Sequence, residues 1–130
     1  NQSLEGGETV YELMGRFCEK WGNSLPGKYG YSGVGAVIGG TWPEQLALMR
    51  RMLPHTFFLV PGYGAQGADA SDVAPAFGKG GLGAVVNASR SILCAWQKNG
   101  ARPEDYAKAA AEEANRMRGD IINQVGEIRL

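Results

Sequence analysis

The stretch Phe57–Gly67, FFLVPGYGAQG, sets a short apolar run directly before glycines spaced G-x-G-x-x-G. Phe57–Val60 reads as a buried strand, being continuous in apolar character and too short for a helix. The glycines pose a choice between a dinucleotide-binding turn and another phosphate-holding loop. A dinucleotide fold needs a substantial helix right after the third glycine and an acidic residue about 20 positions on, at the end of the next strand, to hold a ribose. The segment that follows, Ala70–Phe77, can form only a brief helix with Asp69 near its start, and Pro75 interrupts it. The next strand pattern, Leu82–Asn87, ends in Asn87-Ala88-Ser89-Arg90 with no acid. The dinucleotide reading fails on both counts.

Two consecutive strand ends offer a different kit. The glycine turn presents backbone N–H groups, Gly64 among them, and the amide side chain of Gln66; the second strand end presents a helix start at Ser89 and the guanidinium of Arg90. Oriented amides favour an anion, and arginine can grip two oxygens of one phosphate. Taken singly, each feature has a plain structural explanation, since glycines permit tight turns and arginines are usually exposed. Their convergence on neighbouring strand ends makes a phosphate site the better reading.

Upstream, Val10, Leu13, Met14, Phe17, Cys18 and Trp21 recur at helical spacing and predict an amphipathic helix with one buried stripe. Val34–Gly39 reads as a strand buried on both faces. Thr41-Trp42-Pro43-Glu44 predicts a helix start, with Thr41 as cap, Pro43 in the first turn and Glu44 in the capping-box position. That helix carries Leu46, Met49 and Leu53 and stops at Pro54. After the third strand, Ser89 opens a helix bearing Ile92, Leu93, Ala95 and Trp96, and Pro103 begins a last helix to about Asn123 with Tyr106, Ala110, Met117 and Ile121 facing inward.

The order is helix, strand, helix, strand, helix, strand, helix, helix. Such alternation makes a parallel sheet of the α/β class, because parallel neighbours need a crossover. Three parallel strands would leave apolar edges bare, so the chain reads as part of something larger. A (β/α)8 barrel, at about 250 residues, is roughly twice its length and commonly holds phosphate in the loops after strands seven and eight. The 130 residues are therefore expected to form one partial domain of about three β/α units.

Composition narrows the function classes. Thirteen basic residues balance thirteen acidic ones, so no global field draws in nucleic acid or an anionic membrane, and any anion site must be local. No apolar run approaches the ~18 residues of a membrane span, and the start NQSLEGGETVYE lacks the pattern of a signal peptide, which makes cytoplasm the expected location. Cys18 and Cys94 have no ligand spacing and are read as reduced core residues; His55, the one histidine, is read as a surface residue.

VGAVIGGTWPEQ, FFLVPGYGAQGAD and AVVNASRSI together resemble the sixth, seventh and eighth strand-end motifs of the orotidine 5′-phosphate decarboxylase family, in its longer bacterial type. VYELMGRFCEKWG and the C-terminal helix extend the resemblance over essentially the whole chain. Ala68 stands where a third glycine is common, and Ser91 follows the arginine where glycine is frequent. The resemblance implies the C-terminal half of a barrel, beginning just after the fifth strand. It also implies conversion of orotidine monophosphate to UMP without metal or organic cofactor. Gln66 is similar to the glutamine that closes over the phosphate, Arg90 to the arginine that pairs with it, and the N–H groups around Ser89 and Arg90 complete the cup. Pro61, Gly62 and Tyr63 would begin the mobile loop near the pyrimidine.

The family's D-x-K-x-x-D network, whose lysine protonates the carbon that loses carbon dioxide, does not occur in this sequence. Lys20, Lys28, Lys79, Lys98 and Lys108 all fall in helix or loop; Lys79, the nearest to the site, reads as a solvated loop residue. No catalytic residue is therefore expected in this chain. The expected partners are an N-terminal half of the same enzyme, orotidine monophosphate or UMP, and a second copy in the homodimer typical of the family. A non-catalytic phosphate- or nucleotide-binding fragment and a related barrel acting on a sugar phosphate remain as alternatives.

Overall fold

The computed structural model describes residues 2–128. Helix α1 (Val10–Gly22) leads to β1 (Gly35–Val37), α2 (Pro43–Met52) and β2 (Phe57–Pro61). The short α3 (Ala70–Val73) follows, then β3 (Ala84–Asn87), α4 (Ser89–Leu93), α5 (Ala95–Lys98) and the long α6 (Tyr106–Val125). The strands are all parallel and lie in the order β1-β2-β3, with Val37 opposite Leu59 and Leu59 opposite Val85. Chain order and spatial order coincide, which is the layout of a barrel wall; a doubly wound sheet reverses its strand order at a switch point.

One face of this sheet is packed and the other is open. Phe58 and Val60 of β2 are fully buried against Leu46, Met49 and Leu53 from α2 and its end, and against Val73 and Ala76 beyond the glycine loop. Ala36, Ala84 and Val86 join them from the flanking strands. The alternate residues, Val37, Phe57, Leu59 and Val85, point the other way and are exposed, Val37 by 69%. The expectation of strands buried on both faces is thus corrected: the apolar run was legible, but the elements that would cover its second face are not among the described residues.

Helix α1 repeats the lesson. A capping box between Thr9 and Glu12 starts it. Its expected stripe, however, is largely open: Val10, Met14 and Phe17 are exposed and Trp21 is 52% accessible, stacked on Phe17 at 5.6 Å between ring centroids. Glu19, near the helix end, accepts hydrogen bonds from Thr56 Oγ1 at 2.7 Å and from the His55 backbone at 3.3 Å, and lies 2.8 Å from His55 Nδ1. Burial pushes its carboxyl up, but the bonds from Thr56 and His55 outweigh this and hold it below the usual carboxylate range. The exposed His55 therefore helps pin α1 to the entry of β2.

Other local expectations shift. Thr41 does not cap α2; Trp42 occupies the cap position without a side-chain bond, and Pro43 opens the helix. The helix begun at Ser89 breaks at Cys94, leaving Leu93 and Cys94 exposed, while Cys18 is half-buried; neither cysteine belongs to the core. A 3-10 turn, Pro103–Asp105, precedes α6, whose Met117 is buried and whose Tyr106 is exposed.

At the N-terminal end of the strands, Arg50 gathers the backbone. Its guanidinium donates to the carbonyls of Thr56 at 2.8 Å, Gly83 at 3.2 Å and Ala76 at 3.4 Å, and also to that of Leu53. The Phe58 ring centroid lies 4.0 Å from its central carbon. Burial lowers the affinity of Arg50 for its proton, yet arginine remains charged. Leu53 O and Gly83 O also accept the backbone amides of Thr56 and Phe58, so methionine here keeps bulk but takes from the carbonyls of Thr56 and Ala76 the donor that Arg50 supplies. Arg50→Met should destabilise the fold by about 2–3 kcal/mol in denaturant unfolding, and a change below about 0.5 kcal/mol would mean that water satisfies these groups equally well.

Candidate functional site

The glycine loop after β2 closes on itself. Gly62, Gly64 and Gly67 all have positive φ, at 110°, 74° and 103°, a region that side chains with a Cβ rarely adopt. This geometry lets the Gly64 amide donate to Ala68 O at 2.7 Å, Gly67 to Gly64 O at 2.9 Å and Ala68 to Gly62 O at 3.3 Å. The spacing that mimics a dinucleotide fingerprint is thus the spacing of a compact turn. Asp69 then caps α3 through the amides of Ser71 and Asp72, and Asp72 returns the bond to Asp69.

Neighbouring strand ends hold the loop in place. From the β1 side, the Gly40 amide donates to Pro61 O at 2.8 Å. From the β3 side, Ser91 Oγ accepts from the Ala65 amide at 2.8 Å. Tyr63 is buried in the core, where desolvation, and next the nearby Asp120 carboxylate, raise the phenol above its ordinary pKa.

These contacts form a small cavity of about 80 Å³ at the C-terminal ends of β2 and β3, lined by Pro61, Gly62, Tyr63, Ala65, Gln66 and, across from them, Asn87, Ala88, Ser89 and Arg90. Gln66 and Arg90 are both exposed, and Arg90 forms no ion pair among the described residues, whereas Arg16, Arg102 and Arg116 are paired with acids. A free guanidinium facing an amide side chain across two strand ends suits an oxyanion.

Six of the seven residues singled out from the sequence meet here. Gly64 does not line the cavity, and its amide is committed to Ala68, so it is no donor to a ligand. Tyr63 is anchored rather than free. Ser89 Oγ donates to Asn87 Oδ1 at 3.3 Å. Since α4 has only five residues, its dipole is short and the charge of the site rests on Arg90. Lys79 is exposed in a turn before β3, at the opposite end of that strand.

Sequence reasoning missed Asn87 and Ser91. Asn87 follows Val85 by two residues and so shares the open face of the sheet, which period-2 counting could have revealed. Ser91 carried no signal for its loop contact. Among the larger hollows are an apolar one of about 330 Å³ along β3, α4 and α6, one of about 690 Å³ along α1 and β1, and a polar one of about 520 Å³ between the glycine loop and α6, lined by Asp69, Arg116 and Asp120. Among the described residues no group of three or more His, Cys, Asp or Glu side chains could hold a metal ion, and no helix is long and apolar enough to cross a membrane.

The fold is a segment of a β/α barrel with a small polar cavity at its strand ends. No family model matches the chain, but its sequence is similar to the C-terminal part of orotidine 5′-phosphate decarboxylase. It is 42% identical over 119 residues to the enzyme of Clostridium tetani, covering 92% of this chain and 41% of that protein. It is also 42% identical over 109 residues to the enzyme of Rhodopirellula baltica, covering 84% and 34%. Among solved structures, an orotidine-monophosphate decarboxylase from Toxoplasma gondii superposes with a TM-score of 0.67 at 26% identity, over 92% of this chain and 44% of that one. The UMP synthase of Leishmania donovani gives 0.60 at 31% identity, over 88% and 23%. The chain spans less than half of each of these relatives, between 23% and 44%, and its sheet is part of a (β/α)8 barrel.

The turn geometry can be tested by two alanines. Gly67→Ala meets no atom within 4 Å and should cost only backbone strain, about 1–2 kcal/mol. Gly64→Ala also drives a methyl to 2.4 Å from Ser91 Oγ and should cost more in the same unfolding experiment; equal costs would show that the Ser91 contact yields freely.

Proposed function

We propose that this chain supplies the phosphate-binding C-terminal part of an enzyme that decarboxylates orotidine 5′-monophosphate to UMP in pyrimidine nucleotide synthesis. The observation that carries the reading is the convergence of Gln66 and Arg90 on one cavity at adjacent strand ends, within a chain similar to that enzyme nearly throughout its length. Arg90 pairs with the phosphate, Gln66 donates its amide from the facing loop, and the amides at the start of α4 complete the cup. Pro61 and Gly62 form the wall nearest the open sheet face, where the base would lie.

The reacting end of the substrate must be served from elsewhere. None of the lysines lines the cavity, and no D-x-K-x-x-D occurs. An N-terminal half carrying that network would pair with the free edges of β1 and β3 and cover Val37, Leu59 and Val85. Fully burying each such side chain is worth about 1.5–3 kcal/mol, a strong drive to associate. The hollows beside β1 and β3 lie where such neighbouring units would pack. The complete enzyme is read as cytoplasmic and dimeric, working without metal or organic cofactor. By itself the chain would bind the phosphate end of a nucleotide and turn nothing over.

In the protein complemented by its N-terminal half, Arg90→Ala should raise KM for orotidine monophosphate at least tenfold, since a hydrogen bond to a charged group contributes about 1.5–3 kcal/mol. It should also lower kcat where phosphate binding drives loop closure. Unchanged steady-state kinetics would overturn the assignment, and preference for a pentulose phosphate over orotidine monophosphate would move the reading to a sugar-phosphate barrel.

A further inference from the structure

Ser91 is one of two buried polar residues in the described chain, 2% accessible, and it stands directly after Arg90. Its hydroxyl oxygen accepts the amide proton of Ala65, the residue directly before Gln66, at 2.8 Å. One hydrogen bond thus joins the neighbours of both proposed phosphate ligands across two separate strand-end loops. The contact is tight as well as polar: a methyl on Gly64 would lie 2.4 Å from Ser91 Oγ and 3.1 Å from Ser91 Cβ. The remaining loop bonds run within the loop itself or, through Gly40, toward β1. Among the described hydrogen bonds, the Ser91 contact is the one that sets the loop against α4.

We propose that Ser91 is a positioning residue for phosphate recognition, holding Gln66 at a fixed distance from Arg90. The proposal rests on the reading of this cavity as the phosphate site. Without the Ser91 hydroxyl, the Ala65 amide loses its acceptor and Gln66 explores positions from which it cannot reach a phosphate shared with Arg90. Ordering that loop then falls to the ligand and subtracts from its affinity. Ser91 does not touch the ligand; it acts through the backbone of Ala65.

The test compares wild type and Ser91→Ala in the complemented protein by two readouts: hydrogen exchange at the Ala65 amide, and the ratio of affinities for UMP and uridine. The ratio isolates the phosphate contribution, which a general loss of stability would not change selectively. Exchange at Ala65 should accelerate at least tenfold, and the UMP-to-uridine ratio should fall about five- to tenfold, with uridine affinity unchanged. Faster exchange with an unchanged ratio would overturn the positioning role while leaving the phosphate site intact. Equal losses for both ligands would reduce Ser91 to a packing residue. A wild-type protein that binds UMP no better than uridine would show instead that the phosphate reading had failed, and the proposal would fall with it.

Discussion

Pairing of β2 on both sides is the constraint from which the rest of this structure follows. It is the only described strand with two neighbours, and its alternate residues, Phe58 and Val60, anchor the core formed with α2. Register passes through it: Val37, Leu59 and Val85 form one row because β2 aligns both partners. At its entry Arg50 binds the carbonyls of Thr56 and Gly83. At its exit the chain turns through Gly62 into the loop carrying Gln66. Structural work and the proposed ligand contact thus occupy opposite ends of one strand, a division common in β/α barrels.

The same sheet shows why a segment of a barrel is physically incomplete. A parallel strand offers hydrogen bonds on both edges and apolar side chains on both faces, and a closed barrel satisfies all four. Here the face toward the helices is filled, while Val37, Phe57, Leu59 and Val85 are exposed on the other. The open stripe on α1, with Met14 and Trp21, repeats the pattern on the helical layer. These are not scattered surface hydrophobics; they share faces defined by strand and helix periodicity, and such contiguous patches mark surfaces that bind.

Much of this was legible before any coordinates. The strand ending at Pro61, the self-closing glycine turn, the strand ending in Asn87 and Arg90 beyond it could be read because period and turn chemistry are local properties. Partners are not local. The pattern in Val34–Gly39 says that apolar residues line two faces, but not that one face lacks a cover, and α1 misled in the same way. The apolar period around Cys94 points it to the core, but that period does not survive the break after Leu93. Spacing offers the Gly64 amide as a phosphate donor but does not reveal that it is already bound to Ala68. The contacts of Arg50 and Ser91 carry no local signal, because they reach residues 26 to 33 positions away.

In the proposed enzyme this chain holds the phosphate end of the nucleotide and an N-terminal half serves the reacting end. Mixing the chain with a purified N-terminal half of a relative, and following loss of orotidine monophosphate as the molar ratio is varied, separates the two roles. Neither part alone should turn over, and activity should rise with added N-terminal half and saturate at equimolar ratio. Turnover by this chain alone, or a stable one-to-one complex that binds orotidine monophosphate but never releases carbon dioxide, would contradict this division of roles.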